Sequence, residues 1–318
     1  MLIAIAGGTS PTLGASIVSA LLATGRYTPV ILSRKIKQVP SWLSSLHQKV
    51  EIRHVDYNSH VSLVAALRDV DVVISVLLIP GPDWITVEIN LLHAAEEAGC
   101  RRFAPSEFAL TDRAHTMVYL LGAKSIVWKE VEVSVSRGRI DAARFPCGMF
   151  MNYLGIGISD EAIRLEALAG FQEGSFLVHL DDPSPWIEVP VRADGSFPSL
   201  TLTDIRDVGK FIVGALDIDE PWGGRELGMV GDTLNFADLI SLCEKYTGKS
   251  IHVRKVTRPE LVSRLRGIPP AEFIRYMECQ LQMVATLDQW VIDPSLNRLC
   301  SVQPTTVEQY MKRYWGST

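Results

Sequence analysis

The chain opens Leu2-Ile-Ala-Ile-Ala6, turns through Gly7-Gly-Thr-Ser-Pro-Thr-Leu-Gly14, and runs on as Ala15-Ser-Ile-Val-Ser-Ala-Leu-Leu-Ala-Thr-Gly25. Five apolar residues that end in glycines read as a strand, and the run after the turn, with apolar residues three and four apart, reads as a helix. A strand that passes through glycine into a helix brings backbone N–H groups and the positive helix end to a diphosphate. A glycine string alone is weak evidence. Here it begins an alternating pattern, so Gly7, Gly8, Thr9, Ser10, Thr12, Leu13 and Gly14 are expected to form a dinucleotide turn.

The alternation continues outward from that turn. Pro29-Val-Ile-Leu32 is a second strand ending in Ser33-Arg34-Lys35, and Val50 to Val55 is a third ending at Asp56. Residues 59–69 and 84–99 have helical spacing, Asp71 to Leu78 is a buried-strand run, and Arg102-Phe-Ala-Pro105 is short and extended. Near-continuous apolar strands alternating with helices imply an α/β fold, a Rossmann-type doubly wound parallel sheet covered on both faces. After Lys124 the pattern loosens. Residues 171–200 read as loops and short strands, and helices return at Asp204–Ala215, Phe236–Thr247 and within 258–288. No repeat or low-complexity linker divides the halves. The expected organisation is a nucleotide-binding domain over residues 1–150 and a smaller, mostly helical substrate-binding region over 151–318 packed on it, with segments at about 200–235 returning to the sheet.

A chain of 318 residues that is 47% hydrophobic can bury a core, which excludes global disorder. Its net charge of -5 argues against a nucleic-acid partner, since such proteins need a concentrated basic surface. The five cysteines, Cys100, Cys147, Cys243, Cys279 and Cys300, are odd in number and far apart, which suits free thiols in a reducing, cytoplasmic compartment. The apolar N-terminus lacks the charged leader of a signal peptide, and no stretch reaches the length of a membrane span. A soluble monomer or homodimer acting on a small molecule is expected.

The end of the second strand selects the cofactor. A free ribose 2′-hydroxyl calls for a carboxylate there, and a 2′-phosphate calls for cations. Ser33-Arg34-Lys35 holds two cations and no acid, which favours NADPH/NADP+ over NAD(H). Asp56, after the third strand, reads equally as a partner for the adenine amino group and as a plain turn aspartate. The catalytic group is less legible. Short-chain dehydrogenases pair Tyr with Lys four residues later, but Tyr119 and Lys124 are five apart, roughly 500° round a helix instead of 400°. No two histidines stand at i, i+4 beside an acid, so no metal is expected, and no G-x-S-x-G elbow occurs.

Several segments together resemble the NmrA-like, isoflavone reductase-like group of atypical short-chain dehydrogenases, in the form common among fungal members. They are the glycine turn, Ser33-Arg34, the stretch Arg101 to Ala109 with Pro105-Ser-Glu-Phe108 at its centre, and Lys124-Ser-Ile-Val-Trp-Lys-Glu-Val-Glu132. Phe150-Met-Asn-Tyr153, Thr203-Asp-Ile-Arg-Asp-Val-Gly209 and Gly231-Asp-Thr-Leu-Asn235 extend the likeness to about residue 255. The resemblance implies an oxidoreductase that reduces a small aromatic or polyketide-like metabolite with NADPH. It implies one acid–base lysine, Lys124, by its place before the Val-x-x-x-Val-Glu pattern; Lys129 reads as a solvated-face residue. It also places Leu77, Leu78, Ser106, Glu107 and Phe108, and the stretch holding Phe145, Cys147 and Phe150, around the nicotinamide.

Two departures from the family pattern stand out. The glycine turn carries one extra residue and admits two registers. Anchored at Gly7, Ser10 and Leu13 replace the later glycines; anchored at Gly14, Gly8 is first and Pro11 second. Gly148 stands where the family has a polar side chain, leaving fewer groups to orient a substrate. The resemblance therefore leaves two alternatives beside the reductase: a non-redox isomerase or cyclase that keeps NADP as a structural element, and a dinucleotide-sensing regulator of the NmrA type. Trp186, Phe197, Phe273, Tyr276, Met277 and Met283 are candidates for an apolar pocket, although the helical spacing of the last four favours core packing.

Overall fold

The computed structural model describes residues 1–34, 39–44, 50–79, 83–119, 121–172, 174–269 and 272–316, without the side chains of residues 273 and 274. Its first part runs β1 (Leu2–Ala6), α1 (Leu13–Thr24), β2 (Thr28–Ser33), β3 (Glu51–His54), α2 (His60–Ala66), β4 (Val72–Ser75), α3 (Asp83–Glu97), β5 (Arg102–Ala104), α4 (Asp112–His115), α5 (Gly122–Ser136) and β6 (Asp141–Arg144). The second part runs β7 (Met149–Phe150), α6 (Glu161–Leu168), β8 (Val178–His179), β9 (Trp186–Pro190), β10 (Ser199–Thr203), α7 (Ile205–Leu216), β11 (Arg225–Glu226), β12 (Asp232–Asn235), α8 (Phe236–Thr247), β13 (His252–Val256), α9 (Arg258–Gly267), α10 (Phe273–Ala285) and α11 (Val307–Tyr314).

A parallel seven-stranded sheet in the order β11-β6-β5-β4-β1-β2-β3 forms the centre, as the strand and helix alternation requires. Strand periodicity explains why both faces are covered. In β1, Ile3 and Ile5 point into a core shared with Ile17, Leu21, Phe211 and Ile212 from α1 and α7. Ala4 and Ala6 point the other way, among Leu91, Leu92, Val127 and Val131 from α3 and α5. Of the 200–235 stretch, only Arg225 and Glu226 join this sheet, pairing with Ala143 and Arg144; β10 and β12 belong to a separate sheet.

The rest of the second part is organised around two three-stranded sheets, β12-β10-β7 and β13-β9-β8, packed with α8 and α11 around Trp290, Phe236 and Tyr310. The span read as helical over 258–288 is two helices, α9 and α10. Among the described residues no helix is long and apolar enough to cross a membrane. All five cysteines are free.

The contact between α1 and α7 is close because Gly209 carries no side chain. Ser16 Oγ donates to the Ile205 carbonyl at 2.6 Å and accepts from Gly209 N at 3.0 Å. A Cβ at Gly209 would stand 2.3 Å from the Ser16 carbonyl oxygen. Gly209→Ala is therefore expected to force the helices apart and destabilise the protein by about 1–3 kcal/mol, read as a lowered midpoint in urea unfolding at unchanged slope.

Candidate active site

β1 and β4 pair in register from Ile3 with Val72 to Ala6 with Ser75, so both release their chains at the same sheet edge. The glycine turn starts there. Gly8 N donates to Ile5 O at 3.2 Å, Ser10 N to Gly7 O at 3.0 Å, and Ala15 N to Ser10 O at 2.9 Å. The Ser10 and Thr12 hydroxyls share a hydrogen bond of 2.7 Å, and Trp42 Nε1 donates to Thr9 O at 3.3 Å. Of the two registers, packing singles out the one anchored at Gly14. A Cβ at Gly14 would lie 2.6 Å from Gly8 O, so this is the residue whose bareness lets helix α1 close on the turn. Pro11 is itself exposed, but its backbone is closely approached at Gly170, where a Cβ would meet the Pro11 carbonyl at 2.3 Å.

The remaining cofactor candidates stand at or just after the ends of β2, β3 and β4 in the chain. Ser33 is buried at the end of β2, and Arg34 beside it is exposed; Lys35 lies outside the described residues. Asp56 is exposed and caps a turn, its Oδ1 accepting Asn58 N at 3.0 Å. Leu77 is buried against Gly7, whereas Leu78 is 88% exposed at the crevice edge.

Lys124 belongs to the same crevice through a short chain of contacts. The Leu77 carbonyl accepts Trp84 Nε1 at 3.1 Å, and the Trp84 ring centroid lies 4.9 Å from Lys124 Nζ. Lys124, in the first turn of α5, also donates from Nζ to the Ser106 carbonyl. Ser106 N donates to Glu88 Oε2 at 3.4 Å, and Ser75 Oγ donates to Glu88 Oε1 at 2.5 Å. Burial pushes the Glu88 carboxyl up to about 7 despite those donors and the Lys124 cation. Lys129 is exposed, and Tyr119 is exposed with its N–H bound to Gln280 Oε1.

Behind Ser106 lies a second buried acid. Glu107 Oε2 is 3.3 Å from His115 Nδ1, both side chains are wholly enclosed, and neither has a partner in hydrogen-bond geometry among the described residues. Burial pushes Glu107 up to about 7 and His115 down to about 3, so desolvation favours the neutral form of each.

Phe108, Phe145 and Cys147 are buried together in one apolar cluster. Phe108 stacks on Phe145 at 6.4 Å, and Phe145 meets the edge of Trp222 at 5.2 Å with none of its surface open. The Cys147 thiol is enclosed and pushed up to about 12 by burial. Cys147 N and Gly148 N both donate to Ala109 O, which ties this loop to the one carrying Ser106. At Gly148, φ is +71° and a Cβ would stand 2.3 Å from the Thr201 carbonyl, so no polar side chain can occupy that position in this backbone.

Phe150 is half-buried and leads into an aromatic wall through Phe171, a residue the sequence reading did not single out. Its ring centroid is 5.6 Å from Phe171, which is 4.9 Å from Tyr153. The more distal pocket candidates divide. Tyr276 and Met283 pack on the cluster of Leu261, Ile268 and Cys279, the core role that their spacing favours. Met277 is half-buried, Phe197 packs on the main second core, and the Phe273 side chain lies outside the described residues. Trp186 stacks on His179 at 3.7 Å and lines a separate cavity of about 270 Å³ with Glu188, Arg264 and Gln282.

Trp84, Ser75, Glu88, His115, Phe171 and Gly170 were not singled out by the sequence, and Tyr153 only as the end of the Phe150–Tyr153 segment. Only Glu88 carried a usable signal. It interrupts the stripe Trp84, Val87, Leu91, Leu92, Ala95, which otherwise marks the buried face of α3.

The buried acids make stability depend on pH in a defined sense. A carboxyl raised from 4.5 to about 7 by folding is protonated in the folded chain but ionised in the unfolded chain over that interval. Its contribution is therefore fully present below about 4.5 and lost as pH rises through about 7. Glu107→Gln removes this loss, so its stability relative to the parent should rise by roughly 2 kcal/mol between about pH 5 and pH 8, measured by urea unfolding at both values.

Comparison with known proteins agrees with this arrangement of strands. The chain is 27% identical over 257 residues to Oxidoreductase BOA1 of Botryotinia fuckeliana, covering 78% of this chain and 76% of that protein. It is 27% identical over 327 residues to a bifunctional pinoresinol-lariciresinol reductase 2 of Thuja plicata, covering 98% and 97%. Among solved structures, an isoflavone reductase superposes with a TM-score of 0.74 at 20% identity, covering 98% and 99%. AtPrR2 with NADP+ and (+)pinoresinol gives 0.73 at 21%, covering 98% of each chain. The NmrA-like family model matches residues 1–311, and the chain belongs to the NmrA-like family.

Proposed function

We propose that this protein is an NADPH-dependent reductase of a small aromatic or polyketide-like metabolite, with Lys124 as its acid–base group. The observation that carries the reading is the continuous contact from the glycine turn through Leu77 and Trp84 to Lys124 Nζ, which puts a cation in the crevice where the cofactor turn opens. The relatives named above as reductases of aromatic compounds support the same reading.

The residues fit a dinucleotide phosphate. A bare Gly14 closes the helix on the turn, the Ser10 and Thr12 hydroxyls lie within it, and Arg34, with Lys35 next in sequence, supplies charge for a 2′-phosphate. Gly7, Gly8, Thr9 and Leu13 complete the diphosphate turn, with Ser33 and Asp56 on the adenosine side. Leu77, Leu78, Ser106, Glu107, Phe108, Phe145, Cys147 and Phe150 form the surroundings of the nicotinamide; the enclosed Phe145 and Cys147 act as support beneath it. Residues 1–150 form the cofactor half and 151–318 the substrate half, with Arg225 and Glu226 of the latter joining the central sheet.

When bound, NADPH supplies hydride to the substrate. Lys124 Nζ, held by the Ser106 carbonyl, delivers the proton to the substrate atom that gains charge. The aromatic faces of Phe150, Tyr153 and Phe171 offer an apolar wall for a ring.

Lys124→Ala should lower turnover by about 100-fold or more while leaving NADPH affinity within about twofold, measured as NADPH oxidation with a panel of lignan and phenylpropanoid acceptors beside a fluorescence titration of the cofactor. Undiminished turnover removes Lys124 from its role. Arg34→Ala should weaken NADPH binding by about tenfold and leave NADH binding unchanged, because only the former carries the phosphate. Product formation without NADPH consumption would favour the non-redox alternative.

A further inference from the structure

Glu88 is an acid in a place where packing calls for an apolar side chain. It is wholly buried on the inward stripe of α3, between Trp84 and Leu91. Both of its oxygens are engaged: Oε1 accepts the Ser75 hydroxyl and Oε2 accepts Ser106 N. Either hydrogen bond could be made by an amide oxygen, so holding the ends of β4 and β5 together does not by itself require a charge. What a carboxylate adds is a negative charge facing the Lys124 cation, whose amine is bound to the carbonyl of the same Ser106.

We propose that Glu88 is the positioning residue of Lys124: through Ser106, whose N–H it accepts and whose carbonyl binds the amine, its carboxylate holds the ammonium against the Ser106 carbonyl. The inference rests on Lys124 being the acid–base group and adds the residue that orients and counters it. The groups facing Glu88 are Ser75 from β4, Ser106 and Glu107 from the loop after β5, Lys124 from α5, and Tyr57 from the loop after β3. Beyond Glu107 stand Arg144, Asp112 and His115. Burial keeps Tyr57 neutral. Of the two acids, Glu88 has two donors on its oxygens and Glu107 has none among the described residues, so Glu88 is the one to ionise first.

The test needs no substrate. Glu88→Gln keeps the shape and can keep both contacts, its oxygen accepting Ser106 N and its amide N–H donating to the Ser75 hydroxyl, but removes the charge. Trace acylation with acetic anhydride, read lysine by lysine by mass spectrometry, reports how free the Lys124 amine is, with exposed Lys129 and Lys312 as internal references. Above about pH 8, Lys124 should be acylated about three- to tenfold faster in Glu88→Gln than in the parent. Below about pH 6.5 the ratio should approach one, because the parent carboxyl is then itself protonated. A purely structural Glu88 would shift the melting temperature without producing this pH-dependent ratio at one lysine. Should Glu88→Gln fail to fold, the parent alone carries the signature: labelling of Lys124 relative to Lys129 should fall as pH rises through about 7. A ratio that stays at one across the range, or a parent profile without that fall, overturns the inference. A Lys124→Ala enzyme that keeps its turnover overturns the acid–base reading alone, since the labelling is measured without catalysis.

Discussion

Parallel pairing of β4 between β1 and β5 is the constraint on which the rest of the molecule depends. Ala6 lies opposite Ser75, and Ile74 opposite Ala104, so three chains leave the sheet at one edge within a few residues of each other. Whatever follows those strands must share that edge: the glycine turn after β1, Leu77 and Leu78 after β4, and Ser106 to Phe108 after β5. Helices α3 and α5, which cover one face, then deliver Trp84, Glu88 and Lys124 to the same place. A crevice at the carboxyl ends of parallel strands follows from chain direction alone.

The site is held by polar groups that burial makes expensive and that persist only because each has a neighbour. Glu88 fastens Ser75 to Ser106, and Ser106 in turn accepts Lys124. The link is specific because its members have few alternatives in an enclosed space. Glu107 and His115 are the exception, close together but without a hydrogen bond, and their neutrality is the solution that desolvation favours. Phe108, Phe145 and Trp222 pack ring against ring in one buried cluster.

Individual residues show what could be read in advance. Ile3, Ala4, Ile5 and Ala6 announced a strand buried on both faces, and each residue went to the face that alternation requires. The five-residue interval between Tyr119 and Lys124 argued against a shared helix face, and Tyr119 is exposed while Lys124 turns inward. Gly148 looked like the loss of a polar contact; the structure shows a positive φ and a carbonyl at the place of any Cβ, a cause that no local pattern signals. Phe150 and Tyr153 stood in a legible segment, but Phe171, which both of them meet, did not, because it shares no period with them and reaches them only after β7 and α6 are folded back.

By itself the sequence determined the parallel α/β fold, the glycine turn at its opening and the cationic end of β2. Each depends on residues adjacent or a few positions apart, where strand and helix periods act directly on the pattern. Only the tertiary structure decided how closely Gly14 approaches Gly8, which carboxylate joins Ser75 to Ser106, and which aromatic rings meet Phe171. Those outcomes depend on burial and on approaches between residues such as Ser75, Glu88, Ser106 and Lys124, far apart in the chain. Desolvation and close contact come into being only once the strands have placed them side by side.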